Sequence, residues 1–304
     1  MSTRIFIDGA AGTTGLEIRE RLAGRDDLVL VTLADDRRKD PAARQAALNE
    51  ADVVILCLPD AAAIEAVALI DNPRTRVIDA SSAHRVADGW TYGFPELGFD
   101  VAAASRVSNP GCYPTGFLAL VTPLVRAGLL PADAALVVHG TSGYSGGGKS
   151  MIAEFEAGDG SAHRAYALEL AHKHVPEMTR HAGLTTAPIF LPAVANTHRG
   201  MVIEVPLHAA QLTRDTSASD IRAVLAGAFP ETPLIRVSHG DPSLIRVEDD
   251  AGTDRMTLHV FADPTAAQFR LIATLDNLGK GAAGAAVQSL NLMAGADPLT
   301  GLTI

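Results

Sequence analysis

The run Arg4-Ile-Phe-Ile-Asp8 passes at once into Gly9-Ala-Ala-Gly12-Thr-Thr-Gly15, after which Leu16, Ile18, Leu22 and Ala23 recur at helical spacing. No other stretch limits the fold so sharply. A β-branched strand, a glycine turn and a helix, in that order, open a doubly wound parallel sheet, and the turn carries a defined chemistry. Its glycines let backbone lie close to a pyrophosphate, while the helix start offers unpaired N–H groups and positive potential to the same anion. Gly9, Gly12, Thr13, Thr14 and Gly15 are therefore the first cofactor candidates. The spacing is Gly-x-x-Gly-x-x-Gly rather than Gly-x-Gly-x-x-Gly, so the flanking strand and helix carry the argument. Downstream, Val53-Val-Ile-Leu-Cys-Leu58 is apolar without alternation, as a strand buried on both faces of a parallel sheet must be, which makes Cys57 structural.

A second strand, Leu28 to Leu33, ends at Ala34-Asp35-Asp36-Arg37-Arg38-Lys39, where a sheet of this kind meets an adenosine ribose. Asp35 can bind the ribose 2′-hydroxyl of NAD, whereas Arg37 and Arg38 can hold the 2′-phosphate of NADP, and the residues alone leave both open. Val77-Ile-Asp79 is a fourth strand, and its polar exit, Ala80-Ser-Ser-Ala-His-Arg85, lies at the same sheet edge. Ser81, Ser82 and Arg85 can cradle a phosphate there, since a guanidinium fork matches an oxyanion; pairing of Arg85 with Asp88 is the alternative.

The second landmark is Asn109-Pro-Gly-Cys112-Tyr-Pro-Thr-Gly116, between the β-like Arg106 to Ser108 and the apolar segment Phe117 to Val125. The turn triplet and Pro114 place Cys112 at the first turn of a helix. Free N–H groups and the positive end of the helix dipole favour an anion there, so the thiol should ionise readily and act as a nucleophile. In Ala171-His-Lys-His-Val-Pro-Glu177, Pro176 starts another helix, with His172 and His174 just ahead of it and Glu177 able to reach back to an imidazole. Two histidines and a carboxylate without a further fixed ligand do not make a zinc site, and no metal is expected. A histidine acid/base serving a cysteine is the more economical chemistry.

Ala135 to Gly140 is a strand that opens onto Thr141-Ser-Gly-Tyr-Ser-Gly-Gly-Gly-Lys149, a loop that should hug a ligand through Ser142 and Gly143. Gly143 to Ser150 also matches the letters of a nucleoside-triphosphatase loop, a reading set aside because the dinucleotide turn and the thiol have no place in it. Strands over Ala187 to Leu191, Met201 to Val205, Met256 to Ala262 and Phe269 to Leu275 read as antiparallel with one covered face. The helix Ile221 to Phe229 should begin at Ser219 or Asp220. Arg199, before Gly200, is a candidate for a substrate carboxylate. Asp276-Asn277-Leu-Gly-Lys-Gly281-Ala-Ala-Gly284 precedes a last apolar helix, Ala285 to Met293, which should return to the first domain and bring its glycines to the cofactor.

Length and charge exclude other classes. At 304 residues and net charge −10, with no basic block, nucleic acid and anionic membranes are unsuitable partners. Two cysteines outside any Cys-x-x-Cys pair give no disulfide framework, and a reducing cytoplasm is the expected home. The segment Met1 to Arg4 runs straight into a strand pattern with no apolar leader, and no apolar run reaches the ~18 residues of a membrane span.

Taken together, Asn109 to Thr115, Ser142 to Gly147, His172 to Glu177 and Asn277 to Gly284 resemble the N-acetyl-γ-glutamyl-phosphate reductase family in its shorter form, a relative of aspartate-semialdehyde dehydrogenase. The resemblance spans essentially the whole chain. It implies an α/β fold: a Rossmann-type doubly wound parallel sheet from residues 1–111 and 280–304, and an α+β catalytic and dimerisation domain with a largely antiparallel sheet from 112–279. By the same likeness Cys112 is the nucleophile, His172 the acid/base and Glu177 its support. NADP is held by Gly12 to Gly15, with Ser81, Gly143, Asn277 and Gly281 as further cofactor candidates. Arg85, Asn109, Ser142, His174 and Arg199 are the substrate candidates, Arg85 for phosphate and Arg199 for the α-carboxylate. Leu120 stands where the cysteine signature carries a small residue, a matter of helix packing. The implied reaction expels phosphate from an acyl phosphate, and a hydride then reduces the cysteine thioester to a semialdehyde. Competing readings are aspartate-semialdehyde dehydrogenase, an aminoadipyl-phosphate reductase serving a carrier protein, and a non-catalytic dinucleotide-binding redox regulator. A homo-oligomer, dimer or tetramer, is expected from an apolar-faced sheet.

Overall fold

The computed structural model describes residues 2–34, 36–38, 40–158, 161–230, 232–240 and 242–304. Asp35 and Lys39 of the ribose-side turn lie outside the described residues. The chain forms two compact units, one from residues up to Pro110 together with Ala282–Leu302, the other from Gly111–Gly281 with Thr303–Ile304.

The first unit begins with β1 (Thr3–Asp8), α1 (Thr13–Leu22), β2 (Leu28–Val31), α2 (Pro41–Glu50), β3 (Val53–Leu56), α3 (Asp60–Ala68) and β4 (Arg76–Asp79). The short strands β5 (Thr91–Tyr92) and β6 (Arg106–Ser108) complete its sheet, in the order β2-β1-β3-β4-β6-β5. All its pairings are parallel. Alternation along β1 shows why both faces need a cover: Ile5 and Ile7 pack with Ile18 and Leu22 of α1, while Phe6 points the other way onto Leu48 of α2 and Ala63 of α3. The first of those faces is closed by a segment from the far end of the sequence. Ala283, Ala286, Val287, Leu290 and Met293, on and just before a helix over Gly284–Ala294, join the Ile5 and Ile7 cluster. Strand order reverses at β1, so the carboxyl ends of β1 and its neighbours are where a doubly wound sheet receives its ligand.

The second unit runs through α4 (Cys112–Arg126), β7 (Val137–Gly143), α5 (Gly148–Glu156), β8 (His163–Ala165), α6 (Val175–Ala182), β9 (Ile189–Ala195) and β10 (Met201–His208). It continues with α7 (Ala218–Ala228), β11 (Ile235–Val237), β12 (Met256–Ala262) and β13 (Gln268–Leu275); a π-helical turn, Gly279–Ala283, then leads into the last helix, α8 (Gly284–Ala294). Its seven-stranded sheet has the order β11-β12-β13-β10-β7-β9-β8. The pairing is mixed: β12, β13, β10 and β7 form an antiparallel centre, but β7 with β9 and β11 with β12 are parallel. The sheet is thus largely antiparallel, as expected, with two parallel pairings that the strand spacing did not disclose. The apolar helix α4, buried along most of its length, lies against one face of this sheet.

Two local expectations also change. The stretch Thr141 to Lys149 is not a loop throughout: β7 continues to Gly143, a 3-10 turn covers Tyr144–Gly147, and α5 starts at Gly148. Helix α7 is capped by Ser217, whose hydroxyl accepts from the Asp220 N–H while Asp220 accepts from the Ser217 N–H, two residues before Ser219 and three before Asp220. Among the described residues no helix is long and apolar enough to cross a membrane.

Candidate active site

Cys112 is the first residue of α4, after the extended Gly111, and no side chain of Gly111 can close the helix start. The positive end of the helix dipole therefore favours the thiolate. The Gly111 N–H itself is taken by the fully buried Glu177, whose Oε1 accepts it at 2.7 Å. Glu177 lies in the first turn of α6, so this one carboxylate sits at the positive ends of two helices. On the other side, Gly281 packs directly on the cysteine: a Cβ there would lie 2.9 Å from Cys112 Cβ and 2.9 Å from the Asp276 carbonyl.

Tyr113 gathers the histidines. Its hydroxyl donates to the Ala193 carbonyl at 2.9 Å and accepts from the Tyr166 hydroxyl at 3.2 Å. Around His172 stand the rings of His174, Phe190, Tyr166 and Tyr113, with centroids at 4.6, 5.0, 5.6 and 6.2 Å. The His174 backbone N–H donates to His172 Nδ1 at 3.1 Å, which assigns the proton of the neutral ring to Nε2. Burial above all, and then the Tyr166 phenol and the Cys112 charge, hold the Tyr113 phenol well above 10.0. Burial, with the Cys112 charge, pushes Tyr166 up to about 12. Both phenols stay protonated at neutral pH. Between Tyr166 and His172 the backbone is strained, with Ala167 and Leu170 in the left-handed region at φ 50° and 61°. Cys112, His172, His174 and Glu177 are thus brought together; Tyr166 escaped the sequence reading, because nothing in the local pattern connects it to Cys112.

A further cluster in this unit ties down Ser142, Gly143, Arg199 and Asn277. Ser142 Oγ donates to the Gly143 carbonyl at 3.0 Å, and Gly143 N–H donates to Gly200 O at 2.8 Å. Asn277 accepts the Gly200 N–H at 2.9 Å and donates to Ser145 Oγ at 2.9 Å. Arg199 Nε and a carboxylate oxygen of Asp276 form an ion pair at 2.7 Å. Among the described residues no group of three or more His, Cys, Asp or Glu is placed to hold a metal ion.

In the first unit, Gly9 adopts φ +87°, and a Cβ there would fall 2.2 Å from the Cys57 carbonyl oxygen, so only glycine fits the turn. Gly12 N–H donates back to Gly9 O at 2.9 Å, and α1 starts at Thr13 without a side-chain cap, followed by Thr14 and Gly15. The buried Thr13 Oγ1 has no hydrogen-bond partner among the described residues. A cavity of about 460 Å³ opens here, lined by Gly9, Ala10, Thr32, Arg38, Arg44 and Leu58. A helix start without a side-chain cap, an orphan hydroxyl and two arginines suit a nucleotide's phosphates and ribose. Arg44 is anchored on Asp8 at 2.7 Å, and the exposed Arg37 lies 3.9 Å from Asp40.

The exit of β4 is rigid. Asp79, wholly buried, accepts from Ser81 Oγ at 2.7 Å and Ser81 N–H at 2.9 Å, with His84 Nδ1 at 2.6 Å. The Ser81 hydroxyl proton is thereby committed to a carboxylate, and Ser82 is fixed on Asp60 in the same way. The buried Arg85 donates from Nε to Asn109 O at 3.0 Å and from Nη2 to Ala80 O at 3.3 Å. Asn109 donates to Ala282 O at 3.0 Å, while its buried Oδ1 has no hydrogen-bond partner among the described residues.

A parallel dinucleotide sheet and a thiol at an open helix start, each on its own unit, define an oxidoreductase that uses a nicotinamide dinucleotide. Residues 4–105 match the family described as semialdehyde dehydrogenase, NAD binding domain, and residues 112–277 match semialdehyde dehydrogenase, dimerisation domain. The chain is 50% identical to N-acetyl-gamma-glutamyl-phosphate reductase of Burkholderia lata, with 96% of each chain covered. It is 49% identical to N-acetyl-gamma-glutamyl-phosphate reductase 2 of Pseudomonas putida, over 96% of this chain and 97% of that one. The chain belongs to the semialdehyde dehydrogenase family, in the branch of the N-acetyl-gamma-glutamyl-phosphate reductases. Among solved structures it resembles aspartate semialdehyde dehydrogenase II of Vibrio cholerae complexed with ASA, with TM-score 0.74 and 18% identity over 96% of this chain and 98% of that one. The NADP complex of the Candida albicans enzyme gives TM-score 0.66 and 14% identity, over 96% and 98%. At these identities the likeness is one of fold.

Proposed function

We propose that the chain catalyses the NADPH-dependent reduction of N-acetyl-gamma-glutamyl phosphate to N-acetylglutamate 5-semialdehyde and phosphate, a step of arginine biosynthesis. The observation that carries this reading is Cys112 at the open start of α4, with His172 and His174 drawn to it through Tyr113, in a chain about half identical to reductases of that name. Cys112 Sγ attacks the acyl carbonyl, the C–O bond to phosphate breaks, and a thioester forms on the enzyme. A nicotinamide held by the Gly9 to Gly15 turn would supply the hydride for reduction of this thioester carbonyl to a thiohemiacetal. The N–H groups at the α4 start stabilise the oxyanion at each addition. His172 Nε2–H shares its proton with that oxygen and recovers it when the C–S bond breaks, releasing the aldehyde and restoring the thiolate. One proton is taken up per turnover and leaves with the phosphate. Glu177 supports the site, and Arg85 and Asn109 serve the phosphate end of the substrate, with Ser142, His174 and Arg199 at its other groups.

We take NADP as the cofactor, held by the turn from Gly9 to Gly15, with Arg37 and Arg38 for the 2′-phosphate, and Ser81, Gly143, Asn277 and Gly281 completing its surroundings. The position of Arg38 on the wall of the β1–β2 groove supports this choice. The enzyme works in the cytoplasm on a small molecule, as a homo-oligomer. The open face of the second sheet, where Val137, Pro206 and Phe261 line a concavity of about 810 Å³, suits self-association. Formation of NADPH is measured with N-acetylglutamate semialdehyde or aspartate semialdehyde, each with and without phosphate. Phosphate-dependent turnover of the first, abolished by Cys112→Ala, is expected. Preference for aspartate semialdehyde would overturn the substrate, and near-normal activity of Cys112→Ala would overturn the covalent route.

A further inference from the structure

Asp276 is wholly buried in the second unit, and its carboxylate is heavily engaged. Oδ1 accepts the N–H groups of Leu278 at 2.7 Å and Gly279 at 2.9 Å; Oδ2 accepts that of Gly252 at 2.5 Å. Three peptide donors already satisfy and fix a buried carboxylate. It nevertheless also receives the fork of Arg199, with Nε 2.7 Å from Oδ2 and Nη2 donating to Oδ1 at 3.3 Å. The arginine side chain keeps 27% of its surface exposed, while the carboxylate has none. An immobile acceptor thus grips a guanidinium that still reaches solvent.

Both residues are bound into the surroundings of Cys112. The Asp276 carbonyl accepts the Gly281 N–H at 2.9 Å, and Gly281 lies against Cys112. The backbone of Arg199 lies so close to Gly143 that a Cβ there would come within 2.8 Å of it. Asn277, the next residue, fastens Gly200 and Ser145, so a pair of adjacent side chains pins the arginine at its head and its backbone.

We infer that Asp276 is a positioning residue that orients the Arg199 guanidinium for the substrate's α-carboxylate, so that the ion pair selects carboxylate-bearing substrates. This rests on the substrate reading given above. A guanidinium left to itself samples many rotamers, whereas one side of this fork is already spent on Asp276, and a planar acceptor must approach it in a set direction. Charge alone predicts the opposite effect of Asp276. If the aspartate merely neutralised Arg199, removing its charge would strengthen carboxylate binding; if it positions the arginine, removal weakens it.

The experiment compares N-acetylglutamate semialdehyde with 4-acetamidobutanal, which lacks only the α-carboxylate, in phosphate-dependent NADP reduction. It uses wild type, Asp276→Asn, Arg199→Lys and the double variant, with folding checked by circular dichroism and thermal melts. In wild type the kcat/KM ratio should favour the carboxylate substrate. Each single variant should reduce that ratio on the order of 100-fold, through KM, and the double variant should lose little more. Arg199→Lys keeps both the charge and every peptide bond to Asp276, so it decides the matter should Asp276→Asn fail to fold. An unchanged ratio in Arg199→Lys, or a lower KM in folded Asp276→Asn, overturns the inference alone. No wild-type turnover of N-acetylglutamate semialdehyde overturns it together with the substrate assignment.

Discussion

Replacing Glu177 tests whether the start of α4 is held from outside the helix. The Oε1 to Gly111 N–H distance is 2.7 Å, and both groups are buried. A hydrogen bond to a charged acceptor is worth about 1.5–3 kcal/mol, and an unpaired buried N–H costs a similar amount, so these describe one loss and are not added. Glu177→Ala also removes one buried methylene group, worth about 0.8 kcal/mol. The expected destabilisation of the second unit is about 2–4 kcal/mol. Glu177→Gln keeps a carbonyl oxygen for the N–H and should cost about 1 kcal/mol. The single tryptophan, Trp90, lies in the first unit and will not report this change; hydrogen exchange at the α4 amides will. Removing a carboxylate beside the α4 start should also speed iodoacetamide labelling of Cys112 at neutral pH, since an anion there opposes the thiolate. Equal exchange protection in wild type and Glu177→Ala would refute the account.

Gly281→Ala should displace Cys112, because neither the Cys112 Cβ nor the Asp276 carbonyl at 2.9 Å can swing away; activity should fall about 10- to 100-fold, against a stability loss of about 1–3 kcal/mol by denaturation. Gly9→Ala adds left-handed strain to a clash with the Cys57 carbonyl, and a loss of about 3 kcal/mol or more should appear in Trp90 fluorescence; an unchanged transition would contradict the turn geometry. Burial first, then Asp79 and Asp8, pushes the Cys57 thiol from 9.0 up to about 12. The folded state therefore holds this proton more tightly, and its contribution is complete below pH 9 and declines as pH rises towards 12, by up to about 4 kcal/mol. Alkaline unfolding of the first unit should be blunted in Cys57→Ala, and native labelling at pH 7 should modify Cys112 alone.

The strand, glycine turn and helix at the N-terminus were legible because each carries its own local signature, and Val53 to Leu56 because burial on both faces leaves no polar alternation. The histidine pair ahead of α6 followed from Pro176. What the sequence did not disclose depends on partners distant along the chain. The glycines between 143 and 148 read as loop, yet Gly143 lies on a regular strand and makes room for the Arg199 backbone, as Gly140 does for the Tyr113 ring. Composition cannot separate glycine that bends a chain from glycine that makes room. In the same way the sequence did not disclose that the Ser81 hydroxyl donates to Asp79, two residues earlier. Parallel pairing of β7 with β9 reflects the crossover between them, which strand spacing does not encode.

The dependence of the first sheet on α8 has a consequence for synthesis on the ribosome. Residues Gly111–Gly281 are contiguous and can mature as soon as they emerge, but Ile5, Ile7 and Ile18 stay without their covering helix until nearly the whole chain is translated. The N-terminal unit, made first, is thus the last to be finished. Nascent chains stalled before residue 282 should carry a sticky, chaperone-binding first sheet although the second unit has already settled.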